Sequence, residues 1–445
     1  MKRFLRIFRR GVTVAGIGCL LTLSSLFFAP GGGAEAANPK GAYYSAVNNR
    51  VFWFIVAADT HVGKKNGQGE ANLQWLLTAG RTVIDPSFIV LAGDLTDSTN
   101  GGLYPNGPWL EEWIKYRNTV DGSGATADFF FDVPGNHDEY NDGGLSFYRN
   151  NSVQGRATGQ TQASWTRTFS FGTYHFITAC TAGNDGAPFS IFPPTFGDHA
   201  GLDDGEISFI ENALELNKDA ELSLIFGHHP LVKPKPTPEN WTDTALTYGL
   251  EAFAGLMDQY GVSLYGYGHT HIYQEQFFVG DMTEGVIYLN TTALGEVKDN
   301  AYTLVAVDCN GISLRSQAVG SWPLVLVTAP LDPNLGMEKN PYTSNIPRVG
   351  PGNPVRALVF DSNPVLSVEY RIDGQGNWLP MTPVPGNSRL WEAEASVDMA
   401  DQSHVVEVRA TGSTIQYDRI PTGTPPEPVQ EEGGKGCFIR TIGGR

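Results

Sequence analysis

Residues 51–61 read Val-Phe-Trp-Phe-Ile-Val-Ala-Ala-Asp-Thr-His, an apolar run closed by a carboxylate and an imidazole. Val51–Ala58 has the composition of a buried strand, and Asp59 and His61 follow where that strand ends. The same arrangement recurs down the chain. Phe88–Ala92 runs into Gly93-Asp94, and Phe129–Val133 into Gly135-Asn136-His137-Asp138. Leu222–Phe226 runs into Gly227-His228-His229-Pro230, and Val262–Tyr267 into Gly268-His269-Thr270-His271. One acid or histidine at a strand end is ordinarily a turn or capping residue. Five such blocks in order point to metal-ion chemistry, because together they supply ligands for two ions.

The stretches between the strands carry helical spacing. Leu73, Leu76, Leu77 and Ile84 share one face. Ile207, Ile210 and Leu214 share another, entered from Asp203-Asp204, and Leu250, Phe253, Leu256, Met257 and Tyr260 a third. Strands alternating with helices predict α/β layers over residues 42–318. Open α/β sheets place their sites at the carboxyl ends of the strands, where all five blocks lie. After residue 318 the pattern changes to short alternating runs: Val355–Phe360, Leu366–Ile372, Leu390–Ala395, Val405–Ala410 and Ile415–Ile420. Turns such as Asp373-Gly374 and Pro385-Gly386-Asn387 divide them. This predicts a small β-sandwich over 319–420, with a Pro/Gly-rich connector at 328–354. A Pro/Glu/Gly-rich tail, expected to be disordered, occupies 421–445.

At 445 residues the chain suggests two or three domains, and 41% hydrophobic residues can build a real core. Lys2, Arg3, Arg6, Arg9 and Arg10 precede the uncharged stretch Gly11–Phe28, and Ala34-Glu35-Ala36 fits a cleavage site, so residues 1–36 read as an export signal. An uncleaved anchor is the alternative. The formal charge of −17 becomes −21 without residues 1–36, which remove five basic groups and one acid. A chain this acidic repels nucleic-acid phosphates and anionic lipid, so neither partner is expected. Beyond Cys19, the cysteines are Cys180, Cys309 and Cys437. An odd, sparse set is no disulfide framework, and Cys180 and Cys309 read as buried thiols.

Within a strand, residues i and i+2 point to one side, so Asp59 and His61 can serve the same ion. By the same spacing, His269 and His271 can share one metal or split between two. Asp94 has two oxygens and can bridge. Asn136 offers a neutral oxygen suited to a harder divalent ion such as Mn or Fe(II) beside imidazoles. His229 reads as packing behind His228, His175 as a core histidine and His404 as structural. His199, in the long loop 183–202, is a candidate for lining a cleft. Trp378 and Trp391 read as sandwich packing.

The five blocks together resemble the calcineurin-like metallophosphoesterase superfamily, over roughly residues 50–310. That resemblance implies a four-layer α/β/β/α sandwich and a dinuclear centre of Mn, Fe or Zn. Asp59, His61, Asp94 and His271 would hold one ion, and Asp94, Asn136, His228 and His269 the other. His137 would face the substrate, oriented by Asp138. The implied reaction is hydrolysis of a phosphomonoester or phosphodiester by a metal-bridging hydroxide. The purple acid branch carries a tyrosine ligand after the second acidic block, which Gly93-Asp94-Leu95-Thr96-Asp97 does not offer. Gly320–Thr328 followed by a sandwich also resembles membrane metallophosphoesterases with an Ig-like domain. Those have further C-terminal spans, which this chain lacks. The rival readings are a silent binding or adhesion protein using the sandwich, and a nuclease, which the charge disfavours. Substrate choice would lie in loops 99–108, 139–165 and 183–202.

Overall fold

The computed structural model describes residues 49–183, 200–231, 246–277, 285–335, 338–340, 354–397 and 404–421. All belong to one compact unit, Ala36–Arg445. The expected export signal, the tail after 421 and His199 lie outside the described residues, as does most of the 183–202 loop.

Eleven strands form two sheets. They are β1 (Val51–Ala57), β2 (Ile89–Ala92), β3 (Phe130–Val133), β4 (Ala163–Phe169), β5 (Gly172–Thr178) and β6 (Ser223–Phe226), then β7 (Leu264–Tyr267), β8 (Gln274–Phe277), β9 (Ile287–Asn290), β10 (Ala301–Asp308) and β11 (Gly311–Ala318). The first sheet has the order β11-β10-β1-β2-β3, the second β4-β5-β6-β7-β9-β8. β1, β2 and β3 run parallel, as do β5, β6, β7 and β9. The parallel strands read as unbroken apolar runs because both faces of each sheet are covered.

Alternation along β1 shows the layering. Phe52, Phe54 and Val56 face Phe176, Leu224, Phe226 and Leu289 of the second sheet, forming the core between the two sheets. Val51, Ile55 and Ala57 point the other way, into Leu73, Leu76, Leu77, Trp113 and Tyr116 of the helical layer. The outer face of the second sheet packs on Ile210, Leu214, Phe253 and Met257. Helices, sheet, sheet, helices is the expected four-layer order, a mixed α/β fold. Asp203 caps helix Asp204–Leu216 by accepting from the Glu206 N–H at 2.8 Å, while Glu206 accepts from Asp203 N at 2.9 Å. The first expected helix is interrupted: Gly69–Trp75 passes through a π-turn, Leu76–Gly80, into Arg81–Ile84.

The C-terminal region is all β, with two four-stranded sheets. One joins Leu324–Ala329, Pro354–Phe360, Asn387–Glu394 and Thr382–Val384, the other Leu379–Pro380, Ser367–Ile372, Val405–Thr411 and Ile415–Pro421. The strand Leu324–Ala329 runs into the start of the expected connector, 328–354, within which Asn334–Leu335 pairs with Glu338–Lys339. Val325 and Val327 enter the core between these sheets, while Leu324 and Leu326 join the helical layer of the α/β region with Leu358, Phe360 and Leu390. A buried ion pair seals this junction. Arg356 donates to both Asp308 oxygens at 2.9 and 3.1 Å and to Glu392 at 2.5 Å. Trp378 is covered by Arg371 and Arg409, whose guanidinium carbons lie 4.4 and 4.3 Å from its ring centre, and so packs as expected. Cys180 and Cys309 are buried free thiols. Among the described residues no helix is long and apolar enough to cross a membrane.

Candidate metal centre

Asp59 follows β1, Asp94 follows β2, Asn136 follows β3, His228 follows β6 and His269 follows β7. The two sheets lie face to face, so five parallel strands from both deliver their carboxyl ends to one place.

The side chains gather into two adjoining groups. In the first, His61 Nε2 lies 3.0 Å from His271 Nε2, 3.9 Å from Asp59 Oδ1 and 3.7 Å from Asp94 Oδ2. His271 Nε2 is 3.3 Å from Asp59 Oδ1. In the second, Asn136 Oδ1 lies 3.0 Å from His228 Nε2 and 3.1 Å from His269 Nδ1, and Asp94 Oδ1 is 3.3 Å from His228 Nε2. The two oxygens of Asp94 therefore face different groups. His269 and His271 split between them, which decides between the sequence alternatives.

The placing of Asp59 with His61, and the division of His269 from His271, do not come from a strand pleat at their i, i+2 spacing. Asp59, His61, Asp94, His269 and His271 all have left-handed backbones, with φ of 54°, 43°, 51°, 69° and 60°. They sit in turns just past the strands, and the turn aims each side chain. Non-glycine residues held there carry strain that surrounding contacts must impose. Here the contacts are main-chain bonds between the blocks: Asp59 N to Gly93 O at 2.9 Å, and His61 N to Asp94 O at 3.0 Å. Gly93 has φ 88°, and a Cβ on it would overlap the His228 ring; a Cβ on Gly135 would overlap Asp94.

Asp59 and Asp94 are buried, and every ion-pair contact of their carboxylates is to an imidazole. Burial pushes both carboxyls up, but His271 beside Asp59, and His228 with His137 beside Asp94, outweigh it and hold both below the usual range. Burial equally opposes charge on His228 and His271, yet Asp94 lifts His228 to about 9 and Asp59 lifts His271 to about 10. A pocket that draws protons this strongly onto imidazoles draws divalent cations for the same electrostatic reason. The donor set of carboxylate, imidazole and one amide oxygen fits two such ions.

One expectation is corrected. Asp138 does not orient His137. Its oxygens accept from Leu95 N (2.9 Å), Thr96 N (3.0 Å), Thr96 Oγ1 (3.1 Å) and Gly135 N (2.9 Å). Asp138 is the third residue of the turn Asn136–Glu139, so its carboxylate folds back onto the turn's own start. Burial and the nearby Asp94 charge raise it to about 7. His137 Nδ1 instead meets the main-chain oxygen of Asp97 at 2.6 Å. A carbonyl only accepts, so Nδ1 carries the hydrogen and Nε2 is left facing Asp94 Oδ2 at 4.0 Å.

Asp97 itself was absent from the sequence reading. Its carboxylate lies 3.3 Å from His61 Nδ1, at an angle too poor for a hydrogen bond. Glu296 was also missed; it meets His271 Nδ1 at 3.0 Å and pairs with Lys64. Asp97 closes the block Gly93–Asp97, a legible signal, whereas Glu296 has no motif around it. His228 Nδ1 meets Ala92 O at 2.8 Å, which turns its Nε2 toward Asn136. His229 is buried against the Thr181 hydroxyl at 3.1 Å, yet its ring also lies within ligand distance of His228 and His269. His175 is a core histidine between Ser164 (2.9 Å) and Ser223 (3.3 Å), and His404 pairs with Asp373 at 2.7 Å.

Residues 52–273 match the family model of the calcineurin-like phosphoesterases. That stretch is just under half of the chain and holds all five blocks, and over it the chain is similar to this family of metal-dependent hydrolases. An Arabidopsis thaliana protein named as a metallophosphoesterase is 22% identical over 232 residues, covering 50% of this chain and 30% of the relative. This chain thus spans under a third of that relative's length. Among solved structures, the purple acid phosphatase PPD1 of yellow lupin is 11% identical with a TM-score of 0.40, covering 62% of this chain and 53% of that one. The Plasmodium inner-membrane-complex anchor GAP50 is 15% identical with a TM-score of 0.38, covering 61% and 86%.

Proposed function

We propose that the chain is an exported phosphoesterase that uses two divalent ions to hydrolyse a phosphomonoester or phosphodiester, with an Ig-like domain following the catalytic one at 319–420. The observation that carries the reading is Asp94, whose two oxygens address two separate ligand groups, 3.7 Å from His61 and 3.3 Å from His228. Ions held by those two groups would share this carboxylate. When bound, a pair of divalent ions activates water and neutralises charge on a phosphoryl group. Asp59, His61, Asp94 and His271 would hold one ion, and Asp94, Asn136, His228 and His269 the other.

The remaining work falls to the chain's own groups. His137 and His271 are the exposed members of the site, at 20% and 32% of the side chain, so substrate approaches from their side. With Nδ1 fixed by the Asp97 carbonyl, His137 presents Nε2 inward. As an imidazolium it would donate there to a phosphoryl or leaving oxygen. Asp138 holds the turn that carries Asn136 and His137. Export is supported by the basic and apolar N-terminal segment, 1–36.

The test is metal content of purified residues 37–445, paired with turnover of a chromogenic phosphomonoester and a bis-ester. About two ions per chain and chelator-sensitive hydrolysis are expected, and the ratio of the two rates sorts monoesterase from diesterase. Less than one ion, with no turnover after Mn or Zn is added, would replace this reading with the binding-protein one.

A further inference from the structure

Glu112 lies in the third position of helix Leu110–Gly122 and is buried, with no Lys or Arg paired to it among the described residues. Its two oxygens are both used on main chain: Oε2 accepts from Ser98 N at 2.7 Å and Oε1 from Asn100 N at 2.7 Å. Burial raises its carboxyl to about 7, so an ionised group here is held at some expense to the fold. It lies close under the main chain after the first block, where a Cβ on Gly63 would overlap it.

The turn that Glu112 grips is itself unusual. Ser98 and Asn100 have φ of 59° and 49°, left-handed values that asparagine accepts readily but serine seldom adopts. The residue immediately before that turn is Asp97. Its main-chain oxygen receives His137 Nδ1 at 2.6 Å, and its carboxylate stands 3.3 Å from His61 Nδ1. The chain of contacts therefore runs from Glu112 to the strained turn, to Asp97, to His137.

We propose that Glu112 is a positioning residue: by clamping the 98–100 turn it fixes the Asp97 carbonyl against His137 and so aims His137 Nε2 into the site. This rests on the phosphoesterase reading above. Glu112 touches no reacting atom in this scheme and acts only through His137.

A double-mutant cycle tests it, using the full exported chain with about two ions bound. Glu112→Ala is expected to lower kcat at least tenfold with metal content near two and little change in KM. In the His137→Ala background the same change is expected to lower kcat less than threefold, because the group it serves is gone. The milder Glu112→Gln keeps one acceptor and is expected to fall between, which preserves the test if the alanine variant folds poorly. A Glu112 effect that multiplies in full on top of His137→Ala, or wild-type kcat in Glu112→Ala, overturns the assignment. Wild-type protein that holds no metal and hydrolyses no ester overturns the phosphoesterase reading instead, and Glu112 with it.

Discussion

Truncating His137 to alanine separates chemistry from metal binding more cleanly than any other change. The imidazole contributes no atom to the Asp59, His61, Asp94, His271 group, although it forms a further set within ligand distance with His61 and Asp97, and its Nε2 stands 4.0 Å from Asp94. The contact that does steady Asp94 is the main-chain N–H of residue 137, which donates to Asp94 Oδ1 at 3.0 Å. Alanine keeps that N–H, so the bridging carboxylate should stay in place. Metal content is expected to remain near two per chain. A positioned proton donor is worth about 10²- to 10⁴-fold, roughly 3 to 5 kcal/mol of barrier, and kcat should fall by that factor. The leaving group provides a sharper reading. If His137 protonates the departing oxygen, esters of strongly acidic phenols should lose less than esters of alkyl alcohols, whose oxygen needs the proton. Turnover and metal analysis on both ester classes decide the matter. Loss of an ion in this variant, or unchanged kcat on the alkyl ester, would refute the assigned role.

Three other outcomes follow from the geometry. Gly93→Ala places a methyl into the His228 ring at a backbone φ of 88°, with strain of roughly 1–2 kcal/mol; metal content should drop toward one, and two retained ions would show that the site relaxes around it. Arg356→Met strips Asp308 of two hydrogen bonds at a fully buried position. Denaturant unfolding should reveal a loss of about 3–5 kcal/mol, partly restored by adding Asp308→Asn, and an unmoved midpoint would sink the argument. His175, lowered to about 4 by burial, stays neutral in the folded chain while the unfolded chain takes up a proton below about 6.5. The unfolded state thus binds more protons between those values, so stability should fall as pH drops from 6.5 toward 4, by at most about 3 kcal/mol. A His175→Asn variant should show a shallower slope over that window, and an identical slope would place the titration elsewhere.

The strands that present the site were legible because parallel strands covered on both faces leave continuous apolar runs, and five of those runs ended in ligand-type residues. β4, β8, β9, β10 and β11 were not read, and their patterns explain it. In β4, exposed and half-buried residues alternate without a clear apolar face, while β10 is buried throughout yet carries Thr303 and Asp308. Thr303 bonds Thr291, and Asp308 pairs with Arg356 from a strand 48 residues on. Only the tertiary partner makes such polar positions compatible with a core. The same limit hid Glu296 and Glu112. Each acts through a contact between segments that are distant or bent into left-handed turns, and no periodicity in one stretch of chain encodes that. Asp138 failed for the opposite reason. The family resemblance implied that it serves His137, but a short helical turn directs its carboxylate to the main chain at its own start.

The left-handed conformations bring these observations together. Five candidate ligands have them, and such a residue costs about 1–3 kcal/mol. The same site buries two carboxylates, with imidazoles as their only ion-pair partners among the described residues. Neither feature helps an empty fold. Both are sustained by the rigid frame around them: five parallel strand ends, cross-bonded turns, and glycines where ring and carboxylate approach the main chain. That frame is needed because a bridging carboxylate must face both ligand groups at once, and an extended strand end would turn Asp94 toward one of them only. On the two-ion reading, the left-handed turn after β2 is the step that would convert an ordinary strand terminus into a shared ligand.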